Sequence, residues 1–155
     1  MSRNAITVSA TPEQVFDVLD DAHAYPKWVV GTRRVRYVDP EWPAVGSRFH
    51  HAVGTAAGEL HDSSKVVARR RPDFVELQVR FRPTGVARVR IAVRAEAGAS
   101  RVVMDEEMDS GPLSRLPRLV TDPLLSARNF WSLQRLRHEI ERRAEARATN
   151  GSGEA

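Results

Sequence analysis

The sequence predicts an α+β fold in which one long C-terminal helix packs against a curved antiparallel sheet of about seven strands. Three observations predict this fold. A helical repeat of apolar residues covers Asp122–Ala148, six alternating segments precede it, and two short helical segments follow a first short strand. An antiparallel sheet with one apolar face needs a covering layer, and the long helix is the only predicted element large enough to cover it.

The long helix carries its apolar side chains on one stripe. At about 100° per residue, the stripe contains Leu125, Leu133, Leu136, Ile140 and Ala144. We expect Ala127–Arg143 to lie inside this helix, with Pro117 and Pro123 interrupting the chain before it. Asn129 is a polar residue inside the stripe, and its buried amide requires hydrogen-bond partners.

The first 28 residues predict one strand and two short helices. Ala5–Ala10 alternates as a strand does. Thr11 suits the N-cap of the first helix, Pro12 its first position and Gln14 the reciprocal position of a capping box. His23–Trp28 predicts a second short helix or a turn.

Six further strands are predicted from alternation between turn signals, at Arg33–Val38, Ser47–Val53, Glu59–Arg70, Val75–Phe81, Ala87–Val93 and Arg101–Ser110. A three-residue loop at Pro83-Thr84-Gly85 predicts a hairpin that pairs Phe81 with Ala87, Val79 with Val89, Leu77 with Ile91 and Val75 with Val93. The opposite face would then expose Arg80, Arg82, Arg88 and Arg90.

Composition limits the class of protein. The chain has 155 residues and no cysteine, which favours one domain without disulfides or thiolate metal sites. We expect residues 1–147 to form this domain and residues 148–155 a disordered tail. No apolar run of about 18 residues predicts a membrane span, and the first residues are too polar for a signal peptide, so a cytoplasmic protein is expected.

The formal net charge is +4, and two of the 24 basic residues are lysines. The excess fits either a solvated arginine-rich surface or an anionic partner. No nucleic-acid motif accompanies the charge, so neither a nucleic-acid partner nor stable membrane insertion is expected. The sequence leaves open whether the chain is a monomer or a dimer.

The order of elements and several stretches resemble the START-like (SRPBCC) helix-grip superfamily. That superfamily includes polyketide cyclases and dehydratases, lipid-transfer domains and the birch-pollen-allergen family. The resemblance covers about residues 3–145 and is carried by ITVSATPEQVFDVLDDAHAYPKWV, VGSRFHHAVG, HDSSKVV with RRRPDFVELQV, SRVVMDEEMDSGPL and LLSARNFWSLQRL. The later stretches are similar to an uncharacterised bacterial subgroup. The resemblance implies a helix-grip fold and a ligand cavity, but no shared catalytic motif and no cofactor.

The inward strand phase predicts an apolar cavity between sheet and helix, lined by Leu77, Val79, Ile91, Met104, Leu133 and Leu136. Tyr25 and Trp28 would lie at its mouth or anchor the short helix in the core. The polar residues of the same phase are Asp62, Glu106, His51 and Asn129, with Arg128 on the helix flank. We expect Asp62, Glu106, Asn129 and Arg128 to converge at one wall of this cavity, because isolated buried polar groups are costly.

Three roles remain open for these polar residues. They could form a structural bridge, anchor the polar group of a ligand, or act as acid and base in an enolisation, aldol cyclisation or dehydration, with Asp62, Glu106 and His51 as catalytic candidates. A strand phase wrong by one residue would exchange His51 for His50 and Glu106 for Glu107. A metal site would need His51, Asp62 and Glu106 together, and none is predicted.

Three functions are therefore compatible with the sequence. The first is binding of a small hydrophobic ligand of lipid, polyketide or aromatic type. The second is a polyketide cyclase or dehydratase, a lyase or isomerase that uses residues of the cavity. The third is an interaction protein whose basic outer sheet face meets an acidic partner or a membrane surface.

Overall fold

One seven-stranded antiparallel sheet curves around the long helix in the computed structural model, which describes residues 1–153. The elements in chain order are β1 (Ser2–Val8), α1 (Pro12–Leu19), α2 (Tyr25–Trp28), β2 (Thr32–Val38), β3 (Arg48–Thr55), β4 (Gly58–Arg70), β5 (Phe74–Phe81), β6 (Gly85–Glu96), β7 (Ala99–Ser110) and α3 (Arg118–Ser152). Short 3₁₀ turns occupy Ala22–Ala24 and Pro112–Arg115. The strand order is β1-β7-β6-β5-β4-β3-β2, and the predicted helix-grip fold is confirmed.

Local sequence explains how α1 begins. The Thr11 hydroxyl accepts a hydrogen bond from the Gln14 backbone N–H at 3.2 Å, and the Gln14 side chain accepts one from the Thr11 N–H at 2.9 Å. Pro12 occupies the first turn, where its missing N–H costs nothing. The predicted capping box is confirmed, and the apolar face of α1 lies in the core.

Helix α3 is longer than the sequence predicts at both ends. It begins at Arg118 and contains Pro123, which deprives only the Leu119 carbonyl of a helical hydrogen bond. Leu119 is 90% exposed, so water can satisfy that carbonyl. The prediction of a disordered tail from residue 148 is wrong for the described part of it. There the helix continues to Ser152, and the hydroxyls of Thr149 and Ser152 donate to carbonyls four residues earlier.

The β5–β6 hairpin forms, but its register differs by two residues from the predicted one. The pairs are Phe81 with Gly85, Val79 with Ala87, Leu77 with Val89 and Val75 with Ile91. Two hydrogen bonds explain the shift: the Arg82 N–H donates to the Asp62 carboxylate at 3.1 Å, and the Thr84 hydroxyl donates to the Phe81 carbonyl at 2.8 Å. The turn therefore consists of residues 82–84. Because the shift is even, the apolar side chains still face inward.

The predicted row of four outer-face arginines is divided into two groups. Arg88 and Arg90 approach Glu76 at 3.6 and 3.3 Å, and the Arg90 guanidinium lies 4.0 Å from the centre of the Phe74 ring. Arg80 and Arg82 lie apart from these pairs and face β2, β3 and β4. The two groups therefore differ in how far nearby carboxylates neutralise them.

Candidate functional site

An apolar cavity of about 140 Å³ lies between the concave face of the sheet, α2 and the first half of α3. Its lining residues are Tyr25, Trp28, Val29, Thr32, Phe49, His51, Val53, Ser64, Leu77, Val79, Phe81, Val89, Ile91, Met104, Arg128, Asn129 and Ser132. A cavity of this volume with apolar walls has the size that accommodates a single benzene ring. The site is therefore shaped for a small apolar body rather than for a long chain lying fully inside.

Four of the six residues predicted to line the cavity do so: Leu77, Val79, Ile91 and Met104. The prediction is wrong for Leu133 and Leu136. Both are fully buried in the core cluster that also holds Val15 and Phe16 of α1, so α1 fills the space beneath them. The cavity instead meets α3 one turn earlier.

Aromatic rings form the deep end of the cavity. The Tyr25 ring centre lies 4.4 Å from that of Phe49 and 4.9 Å from that of Trp28, and all three residues are buried. The less buried lining residues mark the mouth: Val29, Thr32, Val53, Phe81, Val89 and Arg128. The mouth is thus mostly apolar, and Thr32 and Arg128 are its polar residues.

Three of the four residues predicted to form a polar cluster come together at the α3 wall. The Asn129 amide donates to Glu106 Oε2 at 2.6 Å, and Arg128 Nη1 lies 3.5 Å from Glu106 Oε1. The Glu106 side chain has no exposed surface, and its Oε1 accepts no hydrogen bond within residues 1–153. The strand phase that turns Glu106 rather than Glu107 inward is correct, since Glu107 is exposed.

Glu106 does not itself line the cavity, although its two partners Asn129 and Arg128 do. Arg128 also stacks on the Phe81 ring at 4.9 Å and donates to the Val30 carbonyl at 3.4 Å. Its side chain is 28% exposed. The guanidinium therefore spans the mouth from α3 to β5, held by a buried carboxylate on one side and a ring on the other.

Asp62 does not join this cluster, so the prediction is wrong for that residue. Its carboxylate accepts hydrogen bonds from the Arg82 backbone N–H at 3.1 and 3.3 Å, and it does not line the cavity. Burial raises the Asp62 pKa above its ordinary value, although the Arg82 N–H and the charges of Arg82 and Arg80 oppose the shift. Asp62 therefore fixes the end of β5 instead of facing the apolar cavity.

His51 lines the cavity, whereas its neighbour His50 faces the other side of the sheet. Its Nε2 lies 3.3 Å from the Ser64 hydroxyl. Burial, followed by the positive charges of Arg128 and His50, lowers the His51 pKa to about 4. The ring is consequently neutral at neutral pH and offers a neutral imidazole to a ligand.

Ser132, Ser64 and Thr32 are lining residues that the sequence reasoning missed. Ser132 follows Asn129 by three positions, so the helical stripe contained a signal for it. Its hydroxyl accepts a hydrogen bond from the Val30 N–H at 3.1 Å. Within residues 1–153, no group of three or more His, Asp or Glu side chains is arranged to hold a metal ion.

Comparison with known proteins identifies the family. A sequence model described as "Polyketide cyclase / dehydrase and lipid transport" matches residues 2–145. The chain belongs to this family. Membership agrees with the resemblance seen in the sequence and with a fold that surrounds an apolar cavity.

Solved structures of three similar proteins show the same fold. Protein CV1439 from Chromobacterium violaceum has 17% identity and a TM-score of 0.68, over 90% of this chain and 96% of that one. Ara h 8.0201 has 13% identity and a TM-score of 0.69, over 89% and 95%. The di-domain ARO/CYC StfQ from the steffimycin biosynthetic pathway has 15% identity and a TM-score of 0.66, over 92% of this chain and 51% of that one.

Curated relatives match only a short stretch. The uncharacterized proteins Rv2574 of Mycobacterium tuberculosis and Mb2604 of Mycobacterium bovis are each 41% identical over 39 residues, which is 25% of this chain and 23% of theirs. The match thus spans about a quarter of these relatives. In the part of this chain that the structure describes, no helix combines the length and apolarity needed to cross a bilayer.

Proposed function

We propose that this protein binds a small hydrophobic molecule with one aromatic ring or a body of similar size, and with an oxygen acceptor that meets Arg128. The observation that carries the proposal is the position of Arg128 at the mouth of a predominantly apolar cavity. Apolar pockets with a few convergent polar groups are typical of small-molecule sites. Membership in the polyketide cyclase / dehydrase and lipid transport family supports the same class of ligand.

The geometry of the site orients such a ligand. Burial of its apolar part against Tyr25, Phe49 and Ile91 contributes through the area removed from water. The oxygen then accepts a hydrogen bond from the Arg128 guanidinium, which is already held by Glu106 and Phe81. A donor that is held before binding loses little entropy when the ligand arrives.

Arg128→Met tests the proposal because it keeps most of the side-chain length and removes the charge. Calorimetric titration with benzoate and with toluene separates the two contributions. We expect the variant to bind benzoate about tenfold more weakly and toluene almost unchanged, since a charge-assisted hydrogen bond contributes about 1.5–3 kcal/mol. Arg135→Met is the matched control, because Arg135 is exposed on the same helix and does not line the cavity.

Two results of this titration would contradict the proposal. One is equal weakening of benzoate binding in both variants, which would assign the effect to net charge. The other is no saturable binding of either compound by the unmodified protein. Native mass spectrometry of freshly purified protein complements the titration by detecting any small molecule that co-purifies with it.

A second candidate function is cyclisation or dehydration of a polyketide-like or aromatic substrate. The observation in its favour is that the neutral imidazole of His51 and the guanidinium of Arg128 line one cavity. A guanidinium can stabilise a developing enolate oxygen, and an unprotonated imidazole can accept a proton, although its low pKa makes it a weak base. Turnover of an aromatic polyketide analogue that His51→Gln abolishes, with the analogue still bound, would favour this candidate.

A further inference from the structure

A second concave site lies on the outer face of the sheet, on the side opposite to the apolar cavity. We call it the basic cleft. It has a volume of about 230 Å³ and is lined by Arg36, Arg48, His50, His61, Asp62, Ser63, Arg80 and Arg82. These residues come from β2, β3, β4 and the end of β5, so the antiparallel pairing brings them together from distant parts of the sequence.

Among the residues that the structure describes, the four guanidinium groups of the basic cleft have no ion-pair partner. Within residues 1–153, no carboxylate lies within 4.0 Å of the charged nitrogens of Arg36, Arg48, Arg80 or Arg82, and all four residues are exposed. By contrast, Arg88 and Arg90 on the same face both meet Glu76. In the described part of the chain, the arginines of the cleft are therefore unpaired, whereas Arg88 and Arg90 on the same face are paired with a carboxylate.

The single carboxylate of the cleft, Asp62, offsets only part of this positive charge. Asp62 is buried, and its carboxylate accepts hydrogen bonds from the Arg82 backbone N–H rather than from a guanidinium. Lys65 adds further charge nearby, in a depression that shares Arg48 and Arg80 with the cleft. Like charges held on one concave surface repel each other, and a bound anion would relieve this repulsion.

We infer that the basic cleft binds the phosphate group of a small phosphorylated molecule or of a lipid headgroup. Guanidinium groups match phosphate oxygens in bidentate geometry, and the Ser63 hydroxyl supplies a neutral donor in the same cleft. A compact concavity suits one oxyanion group better than an extended polyanion, which would follow a longer charged surface. The cleft is a separate site from the apolar cavity, since no residue lines both.

The test is an NMR titration of isotopically labelled protein with sodium phosphate, with sodium chloride adjusted to hold ionic strength constant. We expect saturable shifts of the backbone amides of residues 48–50, 61–63 and 80–82. The variant Arg80→Gln with Arg82→Gln should lower the affinity about tenfold or more, because it removes two of the four charged donors. The control is Arg94→Gln with Arg101→Gln, which removes the same charge from two exposed residues paired across β6 and β7.

Vesicle flotation distinguishes the two sources of phosphate. The vesicles contain phosphatidylcholine with or without phosphatidic acid. Flotation that needs phosphatidic acid and is lost in the Arg80/Arg82 variant assigns the site to a lipid headgroup. Phosphate binding without flotation assigns it to a small phosphorylated molecule. Equal loss of affinity in both double variants, or shifts spread over the whole surface, would overturn the inference, as would a phosphate titration that leaves the cleft amides unmoved.

Discussion

The side-chain amide of Asn129 donates a hydrogen bond of 2.6 Å to the carboxylate of Glu106, and this bond joins α3 to β7. Glu106 is buried, and its carboxylate contacts Asn129 and, at 3.5 Å, Arg128. The bond is buried, and it holds Asn129, which lines the cavity.

Asn129→Leu should lower the free energy of unfolding by about 2–4 kcal/mol, because a buried carboxylate loses its closest donor. Urea denaturation measures this change. Gln134→Leu, at a half-buried position of α3, is the control and should cost much less. Benzoate titration of the same variant separates two roles: unchanged affinity indicates a structural bond, and weakened affinity indicates that Asn129 supports the ligand site. A stability loss no larger than that of the control would contradict the burial argument.

His51 should make the protein less stable as the pH falls from about 6.5 to 4. Its pKa is about 4 in the folded protein, against an ordinary value of 6.5, so the unfolded chain binds the extra proton across this window. The loss reaches up to about 3 kcal/mol relative to a variant without the imidazole, at about 1.36 kcal/mol per pKa unit. Urea denaturation of wild type and His51→Gln at pH 7, 5.5 and 4 measures the difference. His138→Gln, at an exposed position, is the control. A wild-type to His51→Gln difference that is flat with pH would refute the prediction.

Gly85→Ala should destabilise the protein by more than about 2 kcal/mol, because its φ is 135° and an added Cβ would overlap the carbonyl of Ser110. Gly98→Ala is the matched control, since its φ is 82° and nothing lies within 4 Å of the added atom. That variant should cost about 1–2 kcal/mol from backbone strain alone. Thermal unfolding compares the two. Equal costs would show that Gly85 does not approach the Ser110 carbonyl of β7 as closely as the structure indicates.

Val89→Phe should abolish binding of toluene and benzoate, because Val89 lines the cavity and the added ring occupies a volume similar to that of the ligand. Val86→Phe is the control on the same strand. Val86 pairs with Arg80 on the outer face and does not line the cavity. Calorimetric titration of both variants checks the expectation. Full affinity in Val89→Phe would place the ligand elsewhere.

Much of the fold could be predicted from local sequence because apolar alternation reports directly which face of a strand is buried. The inward phases of His51 and Glu106, the capping box at Thr11 and the polar position of Asn129 in the helical stripe all follow from such patterns. The approach of Arg128 to Glu106 followed from the cost of leaving a buried charge unpaired.

Other features depend on contacts that no local pattern contains. Asp62 has the inward phase, yet its partner is a backbone N–H of Arg82, 20 positions later. Leu133 and Leu136 lie on the buried stripe, but whether they meet a cavity or a core depends on where α1 packs. The basic cleft combines residues from four strands, so the alternation of one hairpin revealed only Arg80 and Arg82.

His50 and His51 are consecutive residues, yet one belongs to the basic cleft and the other to the apolar cavity. At this point only the backbone of β3 separates the two sites. A single-residue insertion or deletion in the middle of β3 would exchange the faces of the residues that follow it, and would place polar side chains in one site and apolar side chains in the other. Substitutions in β3 can therefore alter these sites independently, whereas a change of its length by an odd number of residues alters both together.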